Sequence, residues 1–427
     1  MSERQESAQP PILARRSKCR LCDGDTFAHV LPIRPSPIGD AFVPKDRLSE
    51  PQSTFPLDAY LCRSCGHLQN LDMVRPDILF GNYTYRTAVS LGLVEHFRKY
   101  AEDAVRDFAV QPGALVVEIG SNDGSLLRAF KAAGLRVQGV DAAQNVAAEA
   151  TDAGVPTLGA FFTDALAEQI RSAQGEAALV CANNVYAHID DMAGVTRGIR
   201  RLLAPDGVFI FEVSYVLGMI DNMAFDTIYH EHVSYHALLP LERFLNRLDL
   251  TLFDAFQISS KGGSVRAFAQ PLSTAARPRS SRLEGLFAAE RERDVFGEAI
   301  YRSWFERIEE RRRDVQALID QARASGKSVA GWGASTSTTT LLYHFELQDR
   351  LDFIIDDNPT KQGMFSPGRH LPIFGSTSLD EQRPDMIVIL AWLYADAIIS
   401  KNSAYLASGG QFIVPLPDLR VVSAPDR

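Results

Sequence analysis

The chain has 427 residues, 46% of them hydrophobic, with a net charge of −9 and a pI of about 5.6. That length divides into two to four domains of ordinary size, and the composition excludes a disordered chain. An acidic balance argues against nucleic acid as the main partner, which would want a basic face. The start MSERQESAQPPILARR carries no apolar signal core, and the longest apolar run, MIVILAWLYA at 386–395, is too short to span a bilayer. No membrane partner is expected, and the cytoplasm is the default compartment.

In chain order, residues 1–17 are polar and proline-containing and read as a loose tail. Cys19-x-x-Cys22 and Cys62-x-x-Cys65 follow. Paired thiols without a secretion signal read as zinc ligands rather than disulfides, and four thiolates make a closed, structural tetrahedral site. The alternative is four reduced thiols without metal. The proline-rich stretch between the pairs predicts loops and short strands around the metal, in a module over 18–80. Residues 88–110 have helical apolar spacing.

The stretch ALVVEIGSNDGSLLRAFKAAGLRVQGVDAA then reads as strand, tight glycine turn, helix and strand, with Asp141 at its end. ALVCANNV, ending in Asn183 and Asn184, and DGVFIFEVS add two more strands. Alternating strands and helices predict an α/β fold with a doubly wound parallel sheet. The theme returns in SVAGWGASTSTTTLLYHF and LDFIID, closed by PDMIVILAW. In each copy an acid lies roughly twenty residues past the turn. Two Rossmann-like domains are expected, over 81–275 and 276–427. Residues 282–325, dense in Arg and Glu, predict a solvated helix or helix pair between them.

Glu118-x-Gly120-x-x-x-Gly124 puts glycines where backbone must approach a ligand, and Asp141 can accept both ribose hydroxyls. A dinucleotide fingerprint would carry its first two glycines two apart, but here Asn122 stands in the second place. Glu118 would repel a pyrophosphate and would tolerate the sulfonium and ammonium of S-adenosylmethionine. A methyl donor is therefore favoured over a dinucleotide or an empty turn. Its candidate contacts are Glu118, Gly120, Asn122, Gly124, Asp141, Asn183 and Asn184.

With the cysteine pairs, VVEIGSNDGSLL, IYHEHVSYH, KGGSVR, GWGAS…DFIIDDNPTKQG and LAWLYADAIISKN in this order, the chain resembles the sugar C-methyltransferases that act on nucleotide-linked 4-keto-deoxysugars. The resemblance implies a zinc-binding N-terminal domain, a central class I methyltransferase fold and a C-terminal Rossmann-like domain. It also implies a substrate held between the last two, its nucleotide diphosphate reaching into the C-terminal one. Tyr229, Glu231 and His232 would line the reacting end, with His188 from NNVYAHIDD and Tyr83 from NYTYRTA, where Tyr85 also fits. Many relatives carry a lysine in the second glycine turn. Here Ser335 and Thr336 offer hydroxyls instead, and Lys361 could restore the charge. The family includes monomers, so a monomer or weak homodimer is expected.

IYHEHVSYH, at 228–236, holds a third of the nine histidines. His230 and His232 are two apart, which does not suit a metal-binding helix face. Methylating carbon needs a carbanion equivalent, and a C–H beside a ketone gives one if a base removes the proton and a donor holds the oxygen. A histidine suits the base near neutral pH, and a tyrosine suits the donor. His232 is the expected base, while His230, His236, Tyr215, Tyr235 and Cys181 are read as structural. In KGGSVR, Lys261, Ser264 and Arg266 form either a hairpin turn or a clamp on substrate phosphate. The expected activity is methylation of a nucleotide-activated keto-deoxysugar at a carbon beside its ketone. The competing readings are an O- or N-methyltransferase on a sugar or related metabolite, and a non-catalytic zinc- and nucleotide-binding partner protein.

Overall fold

The computed structural model describes residues 11–80, 86–87, 92–258 and 260–424. Tyr83 and Tyr85 lie outside the described residues. No helix among those described is long and apolar enough to cross a membrane.

The central sheet has seven strands, in the order Leu250–Ile258, Ser264–Pro271, Leu203–Ser214, Ala177–Asn183, Leu115–Ile119, Arg136–Asp141 and Thr157–Gly159. All pair in parallel except Ser264–Pro271, which runs antiparallel to both neighbours. Leu115–Ile119 is buried along its whole length, as a strand covered on both faces must be. The helix expected over 88–110 spans Leu93–Asp107, and the left-handed Gly92 stands before its first turn.

The C-terminal sheet has six strands, in the order Ile373–Phe374, Ile354–Ile355, Val329–Trp332, Met386–Ile389, Gln411–Val414 and Arg420–Val422, parallel except at the last. The strand expected from LDFIID shrinks to two residues. Asp352 turns its carboxylate to the backbone of Val329, and Asp356 does the same for Ala334.

Two features depart from a chain of separate modules. Ser234–Tyr235, from the histidine segment, pairs with Leu68–Asn70 and becomes the edge strand of the zinc module's antiparallel sheet, completed by Ala59–Cys62 and Phe27–Leu31. The charged stretch 282–325 forms helices Ser281–Glu292 and Glu298–Ala324. The second is not simply solvated: Tyr301, Trp304, Ile308, Val315, Ile319 and Ala322 form a buried stripe at helical spacing. One apolar cluster runs from Leu21 and Leu61 through Phe209 and Tyr215 to Trp304 and Leu341, so the three regions share a core.

Candidate active site and metal centre

The four N-terminal cysteines converge. Cys19 and Cys65 bring their sulfurs to 3.7 Å and Cys22 and Cys62 to 3.6 Å, and all four lie within 4.8 Å of one another. A zinc tetrahedron with bonds of about 2.3 Å has sulfur–sulfur edges of roughly 3.8 Å, close to the two short separations, so the four thiols fit the ion. The gaps are too long for disulfides. The backbone of Leu21 and Gly24 and the side chain of Gln69 donate to Cys19 and Cys22 sulfurs, as thiolates require.

At the first glycine turn Gly120 has φ +68°, and a Cβ there would lie 2.7 Å from Val185. Asn122 has φ +47° and spends its side-chain carbonyl on the backbone of Thr87 at 2.9 Å. Asp141 accepts from the backbone of Asn122 at 2.8 Å and of Ala143 at 2.9 Å. Glu118 is buried, and burial pushes its carboxyl well above the usual range. Glu118 Oε2, Ser121 Oγ and both polar atoms of Asn183 make no hydrogen bond of normal length among the described residues. Buried polar atoms with hydrogen-bonding capacity to spare, gathered at the carboxyl ends of parallel strands, fit a polar, cationic donor. Asn184, with φ +55°, donates its backbone to Glu212 and turns the chain out of the strand.

Sequence reasoning missed two neighbours of this turn. Phe161 is 55% exposed just beyond Thr157–Gly159, whose Gly159 pairs with Asp141. An exposed aromatic at a strand's carboxyl end was a visible signal. Arg86 clasps Glu149 with two bonds of 2.7 and 2.8 Å, and no local pattern marks that pair.

The histidine segment closes a turn, with the backbone N–H of His232 on the carbonyl of Tyr229 at 2.9 Å. His232 Nδ1 stands 2.8 Å from the Thr227 carbonyl, which can only accept. That bond fixes the tautomer: Nδ1 carries the proton and Nε2 the lone pair. The Tyr229 hydroxyl donates to Nε2 at 2.8 Å, and the two rings stack at 4.0 Å. His188 stands 4.9 Å from His232, ring to ring. Burial lowers the pKa of His188 to about 3 with help from Lys261, and holds His232 well below the ordinary range with help from His188 and Lys261. Both imidazoles are therefore neutral at physiological pH.

Glu231 is buried in the same turn. Lys261 keeps accessible surface yet lies deep among protein atoms, as a group lining a cleft does. Burial lowers its pKa, while Glu231 and Glu212 act in the opposite direction. The structure thus groups Lys261 with the histidines. Of the residues read as structural, His230 donates Nε2 to the Phe55 carbonyl at 3.3 Å, and His236 stacks between His67 and Tyr186. Tyr215 and Cys181 are fully buried. Tyr235 does more than pack, since its hydroxyl donates to the His232 carbonyl at 2.8 Å.

The expected partner of Lys261 on a phosphate is committed elsewhere. Arg266 is buried, donates to Glu212 at 2.6 Å and lies over the Tyr100 ring at 4.0 Å. Antiparallel register sets Arg266 opposite Glu212, so the clamp reading fails for this residue. Burial pushes Glu212 up, and His96 and Arg266 together pull it below its usual value. Ser264 pairs with Ser214 in the same ladder and is buried. At the second turn Ser335 caps helix Thr336–His344 through the backbone of Thr338. Thr336 packs against Gly39 of the zinc module. Lys361 donates to the carbonyl of Ala334, which brings a cation to the lysine-free turn. Asp356 accepts from the backbone of Ala334 and Asn358, the pattern Asp141 shows at the first turn.

A class I methyltransferase fold with a four-cysteine metal module defines the class. Family models match the chain in three consecutive pieces: a zinc binding domain over 19–80, a methyltransferase domain over 93–254, and a C-methyltransferase C-terminal domain over 259–417. The C-methyltransferase NovU of Streptomyces niveus is 36% identical over 408 residues, 95% of this chain and 97% of that one. Among solved structures, the magnesium protoporphyrin IX methyltransferase of Synechocystis is 19% identical, covering 44% of this chain and 90% of its own, at a TM-score of 0.34. An S-adenosylmethionine-dependent methyltransferase of Clostridium acetobutylicum is 11% identical, covering 42% and 92%, at a TM-score of 0.33. The chain belongs to the three-domain C-methyltransferase family, with S-adenosylmethionine and zinc as its cofactors.

Proposed function

We propose that this C-methyltransferase acts on a nucleotide-activated keto-deoxysugar, methylating a carbon beside the ketone through an enolate. The observation that carries the reading is the Tyr229–His232 pair: a neutral imidazole of fixed tautomer whose basic nitrogen is covered by a phenol at 2.8 Å. At rest the Tyr229 hydroxyl donates to Nε2. When a ketone oxygen enters, that hydroxyl turns to it and leaves the Nε2 lone pair free to take the neighbouring C–H proton. The negative charge then grows on the oxygen, where Tyr229 and Lys261 hold it, and His188 lies against the new imidazolium's ring. Glu231 orients a sugar hydroxyl or amine, and the family resemblance adds Tyr83, outside the described residues, to the same role. Bound S-adenosylmethionine supplies the electrophilic methyl group. Glu118, Asp141, Asn183 and the Gly120–Gly124 turn are the residues that would hold it.

In this reading residues 18–80 carry the metal, 81–275 the donor and the reacting end, and 276–427 the activated-sugar end. Ser335, Thr336 and Lys361 meet the diphosphate there, the first two at a helix N-terminus.

The test incubates the protein with keto-sugar nucleotides in deuterated water, without and with donor. Uptake of one deuteron without donor, abolished in His232→Gln, is expected. Methyl transfer to oxygen or nitrogen with no C–H exchange would overturn the enolate and favour the heteroatom reading. Binding without turnover would favour the non-catalytic one.

A further inference from the structure

Arg20 lies between two of the four cysteines and has a side chain with no exposed surface. Its guanidinium reaches three separate parts of the chain. Nη1 donates to the Val233 carbonyl at 3.2 Å, the Asn70 carbonyl at 2.6 Å and Gln69 Oε1 at 3.1 Å. Nε donates to Asp190 Oδ1 at 3.0 Å. Val233 follows His232, and its backbone N–H donates to the carbonyl of Ala187, the residue before His188. Asp190 is two residues beyond His188, and Arg16 Nη1 donates to the same Oδ1 at 2.9 Å. Gln69 closes the circuit, since its amide donates to Cys19 Sγ at 3.1 Å while its carbonyl accepts from the backbone and side chain of Arg20.

From these contacts we propose that Arg20 is a positioning residue, linking the metal centre to the backbone beside His188 and His232 so that metal loading sets the spacing of the two imidazoles. This rests on the reading of those histidines as the reacting end.

The chemistry of the side chain supports the role. Burying a guanidinium is costly, and a hydrophobic core alone would not call for one. Its donors, fixed in a planar fork, can face one carboxylate and several carbonyls at once, which a lysine cannot do. Asn70 ends strand Leu68–Asn70 and Val233 directly precedes its partner strand Ser234–Tyr235, where Gln69 pairs with Ser234. A ligand bond at Cys19 and a shift at His232 are thus joined by Gln69, Arg20 and one carbonyl.

The test compares the metal-loaded wild type with Arg20→Lys and Asp190→Asn. Three readouts are taken: zinc per chain, amide hydrogen exchange by peptide, and kcat beside KM for donor. Both variants should keep one zinc, because Asp190 touches no cysteine and lysine keeps the charge. Exchange should rise over 186–190 and 228–236 and stay unchanged over 115–141. The kcat should fall by roughly 10²-fold, the scale of a misplacement of about 1 Å, with KM for donor unaltered. The double variant should lose little beyond either single one. Wild-type exchange and kcat in both zinc-loaded variants would overturn the proposal. So would loss of zinc or of donor binding in Asp190→Asn, which would make the network a general prop. Deuterium uptake by the wild type separates the two ideas. Its absence sinks the enolate reading, while its presence with unaffected variants sinks only the role of Arg20.

Discussion

Asp226 sits just before the histidine segment, is 3% exposed, and accepts from Trp392 Nε1 of the C-terminal region at 2.9 Å. Burial pushes its carboxyl from 3.8 up to about 7. The folded state therefore binds more protons than the unfolded chain between those values. The stabilisation is complete below 3.8 and is lost as pH rises through about 7. Between pH 5.5 and 8.5 the loss is about 2 kcal/mol for this one group. Asp226→Asn keeps an acceptor for the indole and removes the titration. Relative to the wild type, the variant should gain about 2 kcal/mol on moving from pH 5.5 to 8.5. Urea unfolding followed by tryptophan fluorescence reads the right region, since all three tryptophans, Trp304, Trp332 and Trp392, lie in the C-terminal part. His236 gives a control of opposite sign. Burial lowers its pKa to about 4, so its contribution is lost as pH falls below the unfolded value of 6.5. His236→Asn should therefore relieve the acid side by about 1 kcal/mol. Stability curves that run parallel to the wild type in both variants would refute the assignment of these two buried groups.

Stripping the metal with a chelator should unfold the region around Cys19–Cys65 and release strand Ser234–Tyr235 with it; circular dichroism and kcat should fall together and recover with zinc. Tyr229→Phe should lower kcat by roughly 10²-fold, the cost of one oxyanion donor, with donor affinity unchanged by calorimetry. Phe161→Ala should raise the Kd for donor about 5-fold, the loss of one aromatic contact of about 1 kcal/mol, and leave the sugar's KM alone. Gly39→Val places a Cβ 2.5 Å from Thr336 Cγ2 and 2.8 Å from its carbonyl, so it should cost about 1–3 kcal/mol and raise KM for the sugar nucleotide.

What the sequence made legible was local. Two Cys-x-x-Cys pairs announce a metal because ligand spacing is set within a few residues. Two glycine turns announce ligand clefts because only certain backbones can turn there. Lys361 was nameable for the lysine-free turn because it follows Asp356 at a distance a long side chain can span. What stayed hidden depends on pairing across long separations. Nothing near Arg266 reveals that antiparallel register sets it opposite Glu212, so a cation in a glycine hairpin passed for a phosphate clamp. The Arg and Glu density of 282–325 masked Tyr301, Trp304, Ile308, Val315 and Ile319, because composition averages over faces that a helix keeps apart. The edge strand Ser234–Tyr235 was the largest omission. Two residues of β character cannot be recognised alone, and their partner strand lies far back in the zinc module. That single pairing changes the logic of the molecule. A metal that touches no substrate still holds the strand that follows His232. Carbon methylation needs a base placed far more closely than heteroatom methylation does, since the proton must be taken before there is a nucleophile. A closed four-thiolate metal bracing that strand is a physical means of meeting the demand.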